Sequence, residues 1–213
     1  FMEINKPYLF IEINDKNFIF LVVKYNEDFE CETLDSYETK SKGVLDGKII
    51  DIKIVSEIIK EHLKLIETKN KVTFKNAVVI NDQNNFDCIN VSGYKNLGGS
   101  QILEEDISFL LNNIKKIIID NEKKKTLIHL FNSKFILDGK VIDNLPIGVY
   151  GNYFNQHLTF FLFPENDYKN LKLALNKSGI NIERVIFKPF VTGINIINKE
   201  KNLKKFMILN IKK

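Results

Sequence analysis

Apolar and polar residues change rhythm several times along this chain, and the changes mark out its elements. Between Tyr8 and Tyr25 two apolar runs are hinged on the polar tetrad Asn14–Asn17, which predicts a β-hairpin. A third strand is expected over Glu30–Thr39. Gly43 and Gly47 then punctuate a loop, and Asp51 stands where a helix N-cap belongs. Ile52, Val55, Ile58, Ile59, Leu63 and Ile66 recur at three- and four-residue steps, so a helix over about residues 52–67 turns one stripe to a core. His62 lies beside that stripe and reads as a half-buried, hydrogen-bonded residue rather than a catalytic one. The short apolar run Lys75–Asn81 completes a β-β-β-α-β order, which implies a mixed sheet covered by helices.

After Asp82 the pattern changes. A strand around residues 84–94 leads to a helix over 104–120 with Ile107, Leu110, Leu111, Ile114, Ile117 and Ile118 expected inward. A strand over 125–137, a glycine- and proline-marked connection at 145–151 and a strand over Tyr153–Phe163 follow. This β-α-β-β unit predicts a small sheet crossed by one helix. The first rhythm then resumes. A helix from about residue 165 to 178 carries Tyr168, Leu171, Ala174 and Leu175 as its stripe, and Gly179 with Ile180 forms its C-terminal stop. A strand over 181–187 comes next, Pro189 opens a helix at its first turn, and an apolar strand begins near residue 204. That last strand is read as the point where the next part of a longer protein begins.

Composition alters this picture little. The 213 residues are 44% hydrophobic and 27% charged, ordinary values for a soluble globular protein. The net charge of +4 suggests a basic partner surface, yet Arg184 is the only arginine among 31 basic residues. Nucleic-acid readers favour the arginine fork, so no nucleic-acid partner is expected and the lysine excess reads as codon bias. Cys31 and Cys88, and likewise His62, His129 and His157, match no metal or redox spacing, so no metal ligand set is assigned. No apolar run approaches the roughly 18 residues that a membrane span needs. The N-terminus lacks the charged-then-apolar order of a signal peptide, and a cytoplasmic chain is expected.

The Asn14–Asn17 turn raises a chemical question. Phosphate-binding turns usually contain glycine, because a backbone without Cβ can approach a phosphate closely. This turn has none and carries Lys16.

Three stretches together resemble the bacterial FtsA family of cell-division proteins, divergent actin-like ATPases. They are GVLDGKIIDI with Gly43, Gly47 and Asp51; NLPIGVYG with Pro146, Gly148 and Gly151; and SGINIERVIFKPF with Gly179 and Pro189. The resemblance implies an actin-like, ribonuclease-H-like α/β fold interrupted by a small inserted subdomain. Residues 1–82 and 164–213 would form the first large subdomain, ending at the start of the second large domain, and residues 84–163 the insertion of the type called 1C. The family's first phosphate loop, Asp-x-Gly-[ST], falls on Glu12, Asn14 and Asp15, and its second falls on Asn210, Lys212 and Lys213. Asn14, Asp15, Lys16 and Lys212 are thus degenerate cofactor-binding positions. The asparagine is expected to keep the turn's left-handed backbone. ATP and magnesium belong to the parent family, but this chain is expected to grip them poorly, to have no catalytic residue and to hydrolyse no ATP.

The parent implied by the resemblance polymerises at the inner face of the cell membrane, tethers FtsZ and recruits later division proteins. Its membrane tail and FtsZ-recruiting lobe lie outside this chain. The insertion is expected to supply protein contacts through Pro146, Tyr150, Tyr153, Phe154 and Phe160. Alternation makes adjacent pairs such as Tyr153–Phe154 and Phe160–Phe161 point opposite ways. An actin-like pilus-assembly protein is the rival reading, and an actin-like sugar kinase a more distant one because kinases of this kind need both phosphate loops.

Overall fold

The computed structural model describes residues 3–28, 30–199 and 207. In chain order the elements are β1 Tyr8–Ile13, β2 Asn17–Tyr25, β3 Cys31–Lys40, β4 Val44–Leu45, β5 Lys48–Ile49, α1 Ile52–Asn70 and β6 Asn76–Asn81. Then come β7 Asp87–Asn96, α2 Glu104–Asn121, β8 Lys125–Leu137, β9 Lys140–Ile142 and β10 Tyr153–Pro164. The series ends with α3 Glu165–Lys177, β11 Asn181–Phe187 and α4 Lys188–Lys199. The strand expected from residue 204 lies outside the described residues.

The chain divides into two compact units, Phe1–Asn84 with Lys169–Lys213, and Asn85–Tyr168. These borders differ by a few residues from 82/84 and 163/164. The Phe86 ring packs on Phe161 at 5.8 Å, and the Glu165 N–H donates to the Lys124 carbonyl at 2.9 Å. Both contacts tie the connecting residues to the second unit, which is why its C-terminal border lies beyond that of the apolar pattern.

In the first unit five strands form one sheet in the order β11-β6-β1-β2-β3. β1 pairs antiparallel with β2 and parallel with β6, β2 pairs antiparallel with β3, and β11 pairs parallel with β6. The mixed sheet follows from the sequence pattern. Leu9, Ile11 and Ile13 alternate inward on β1, as do Phe18, Phe20 and Val22 on β2. Successive residues Ala77, Val78 and Val79 of β6 are all buried, which requires cover on both faces of the sheet. Each of these valine, leucine, isoleucine and phenylalanine side chains stabilises the fold by about 1.5–3 kcal/mol relative to exposure.

Asp51 does cap α1. Its carboxylate accepts the Ile54 N–H at 3.0 Å, and Val55, Ile59, Leu63 and Ile66 form the buried stripe. His62 is half-buried: its Nδ1 lies 2.9 Å from the Ile58 carbonyl, which can only accept, so Nδ1 carries the proton. Its ring stacks on Phe20 at 5.3 Å. The α3 stop also forms as expected, since Ile180 N–H donates to the Leu175 carbonyl and Gly179 N–H to that of Asn176. Beside it the buried Ser178 hydroxyl lies 3.0 Å from the Ser56 carbonyl and 2.8 Å from that of Ala174, linking α3 to α1.

The second unit is a four-stranded antiparallel sheet, β7-β10-β8-β9, crossed by α2. Leu158, Phe160 and Leu162 of β10 meet Ile114 and Ile118 of α2, and Phe154 packs with Leu110, Leu97 and Ile102. At Gly93 a Cβ would lie 2.4 Å from Ile114 Cδ1, so glycine lets the helix approach β7. β9 was not expected. It follows β8 through Asp138–Gly139, whose φ values of 47° and 80° make the tight turn of a two-residue hairpin. Ile117 was expected inward but is 59% exposed. The stripe Leu110, Ile114, Ile118 uses the four-residue step, and Ile117 falls one position off it.

Candidate functional site

The Asn14–Asn17 turn is built by side-chain acceptors. Asn14 Oδ1 accepts the backbone N–H of Lys16 at 2.9 Å and that of Asn17 at 2.8 Å, while its Nδ2 donates to Glu12 Oε1 at 2.8 Å. This is the Asx-turn chemistry by which asparagine closes a bend on its own. The left-handed backbone expected of Asn14 is absent: no residue from Asn14 to Asn17 has a positive φ. The side chain bends the chain here, so an unusual backbone angle is not needed.

Asp15 reaches the loop before α1. Val44–Leu45 and Lys48–Ile49 form a second tight hairpin, turning at Asp46 (φ 52°) and Gly47 (φ 72°). Asp15 Oδ1 accepts the Gly47 N–H at 2.8 Å, and Asn81 Nδ2 donates to the Gly47 carbonyl at 3.1 Å. Asn81 Oδ1 in turn accepts the Gln83 N–H at 2.9 Å. A Cβ at Gly47 would stand 2.7 Å from the Gln83 backbone, so glycine is needed for both its angle and its closeness.

Lys188 brings in the start of α4. Its Nζ donates to Glu12 Oε1, and the Glu12 side chain is only 16% exposed. Lys188 was missed in the sequence, although a signal exists. A lysine in the first turn of a helix opposes the helix dipole and asks for a nearby carboxylate. Lys16 itself is exposed, and Lys212 lies outside the described residues.

A triphosphate with its metal, as the family resemblance implies, does not fit this arrangement. The N–H groups of Lys16, Asn17 and Gly47 already donate to Asn14 and Asp15. Asp15 also sets a carboxylate on the Gly47 N–H, adding negative charge near where the resemblance implies phosphate. Among the described residues no group of three or more His, Cys, Asp and Glu side chains could hold a metal ion.

The contact residues expected in the second unit divide sharply. Tyr150 is 68% exposed and Tyr153 is also exposed, but Pro146, Phe154 and Phe160 are buried and cannot meet a partner. Alternation along β10 puts Phe154 and Phe160 under α2 and leaves Tyr153 on the other face. Pro146 belongs to a clasp. Ile102 N–H donates to the Val149 carbonyl, Gly148 N–H to Ile102, and Gly151 N–H to Ser100, so residues 146–152 close over the segment before α2. The clasp leaves Leu145, Ile147 and Val149 exposed beside Tyr150. These neighbours went unassigned because a loop has no period that tells inside from outside.

At the base of the clasp Asp106 accepts the Leu103 N–H at 3.0 Å and pairs with Lys95. The Lys95 hydrogen bond, then that from Leu103, holds the Asp106 carboxyl below the usual aspartate range. Lys95, Asp106, Leu103 and Tyr150 line a groove of about 400 Å³.

Residues 83–160 match the family described as the SHS2 domain inserted in FtsA. The second unit is thus similar to the SHS2 domain of FtsA over nearly its whole length. Two curated proteins named Cell division protein FtsA extend the likeness over both units. That of Buchnera aphidicola subsp. Schizaphis graminum (strain Sg) is 20% identical over 161 residues, covering 76% of this chain and 38% of its own. That of Streptococcus pneumoniae serotype 2 (strain D39 / NCTC 7466) is 23% identical over 183 residues, covering 84% and 39%. The chain thus spans about two fifths of the length of these FtsA proteins. A solved structure described as a PilM-PilN type IV pilus biogenesis complex shares the fold, with a TM-score of 0.59 at 10% identity over 90% of this chain and 50% of that one. The likeness to FtsA and the actin-like α/β fold expected from the sequence both stand. Among the described residues no helix is long and apolar enough to cross a membrane.

Proposed function

We propose that this chain is part of an FtsA-like cell-division protein whose SHS2 unit works as a contact surface. The observation that carries the reading is the clasp at residues 145–150. A framework of backbone hydrogen bonds fixes it, yet it presents Leu145, Ile147, Val149 and Tyr150 to solvent. Contiguous exposed apolar side chains on an otherwise satisfied loop suit a protein partner. In the whole protein that surface serves self-association into filaments and the recruitment of later division proteins. Tethering of FtsZ and attachment to the inner face of the cell membrane at the division site belong to the same reading, through parts beyond this chain. The chain itself hydrolyses no ATP.

The test is to place charge on the clasp in the full-length protein, as Val149→Glu with Tyr150→Glu. The expected result is a folded protein that loses self-association or partner recruitment and fails to support division. Normal division and association in a folded variant would overturn the reading. A variant that divides normally but loses pili would instead support a pilus-assembly role, the alternative that the shared fold leaves available.

A further inference from the structure

The end of β1 is a crossroads where several polar groups are turned on one another. Three segments distant in sequence meet there within the first unit: the β1–β2 turn, the β4–β5 hairpin and the start of α4. Asn14 and Asp15 consume the backbone N–H groups of Lys16, Asn17 and Gly47, and Lys188 Nζ donates to Glu12. A ligand phosphate would have to displace an internal acceptor at each N–H, one of them the Asp15 carboxylate. A divalent cation would have to displace an ammonium group from Glu12, which is mostly buried.

We infer that these residues form a built-in latch, with Lys188 acting as an internal cation, so that the segments converging on β1 are held together without nucleotide. In a fold whose relatives use a bound phosphate and metal to join such segments, this chain supplies both charges itself. The carboxylate and the ammonium come from elements 176 residues apart, so their pairing closes the first unit between its first strand and its last described helix. The buried Asn81 and the Gly47 backbone extend the latch to β6. Asp15 and Asn14 set its geometry, and Lys16 takes no part through its side chain.

This inference rests on the actin-like reading but not on the contact surface, and its test reads different quantities. The full-length protein is titrated with ATP and magnesium by calorimetry and by thermal unfolding. The expected result is no saturable binding below about millimolar nucleotide and no rise in Tm. Glu12→Gln, Lys188→Met and the double variant are then unfolded thermally. Lys188→Met should lower Tm by several degrees because it leaves the largely buried Glu12 carboxylate without its counter-charge, and Glu12→Gln added to it should recover much of the loss. If Lys188→Met is insoluble, the double variant decides alone, and a soluble double variant supports the latch. Additive losses, an insoluble double variant, or micromolar binding of ATP–magnesium by the unaltered protein would each overturn it. Division assays on clasp variants would be unaffected by that failure, which separates the two readings.

Discussion

Lys95 of β7 and Asp106 of α2 form an ion pair that anchors the helix start to the sheet of the second unit. The same carboxylate takes the Leu103 N–H, one of the donors a helix start leaves unsatisfied. Its pKa is lowered in the fold, so the stability it contributes is fully present above the unfolded aspartate value of about 3.9. That contribution is lost as pH falls through the lower folded value. Acid titration followed by circular dichroism should therefore show the wild type losing stability below about pH 4 more steeply than Asp106→Asn. At neutral pH the same substitution should cost about 1 kcal/mol.

Two glycines test what a close approach is worth. Gly47 and Gly139 both follow an aspartate in a tight hairpin with φ near 72° and 80°. A Cβ at Gly47 meets the Gln83 backbone at 2.7 Å, whereas one at Gly139 meets nothing within 4 Å. Gly139→Ala should cost only the left-handed penalty, about 1–2 kcal/mol. Gly47→Ala should cost clearly more and lower Tm further in a thermal melt.

Aromatic positions on opposite faces of β10 should behave as opposites. Phe160 is fully buried against Ile114 and Ile118, so Phe160→Ala should destabilise by about 3–5 kcal/mol in urea unfolding. Tyr153 is exposed, and Tyr153→Ala should stay within about 0.5 kcal/mol.

Asp51→Ala removes the side-chain acceptor at the start of α1 and should cost about 1 kcal/mol, while Asp51→Asn should cost much less. Chemical denaturation of the pair distinguishes capping from any effect of charge alone.

Elements with a period of their own were legible in the sequence. The stripe of α1, the spans of β8 and β11, and the glycine stop of α3 all follow from local patterns that tertiary packing did not override. The short hairpins at Asp46–Gly47 and Asp138–Gly139 were overlooked, though Asp-Gly, in Leu-Asp-Gly-Lys both times, is a direct signal of such a turn. Which of the β10 aromatics face inward was half legible: alternation separates Tyr153 from Phe154, but only the position of α2 decides which is covered. The pairing of Lys188 with Glu12 was beyond reach: a lysine in a first helical turn asks for a carboxylate, but no local rule says that the first strand supplies it. The Asn14 turn was located correctly and explained by the wrong mechanism. Asparagine can supply either a left-handed backbone or a side-chain acceptor, and the sequence does not say which.

Asp87 on β7 lies opposite Leu162 on β10, so the SHS2 unit starts and finishes on adjacent antiparallel strands. These two positions, near the unit's ends in sequence, are thereby held about 5 Å apart. The entropy of closing a loop depends on how freely its ends wander, and here the folded unit fixes them. Once formed, the unit presents a short gap between these strands rather than a long free loop. Evolution can therefore vary its surface, strand lengths and loops at little cost to the host fold, provided that this one strand pair remains zipped.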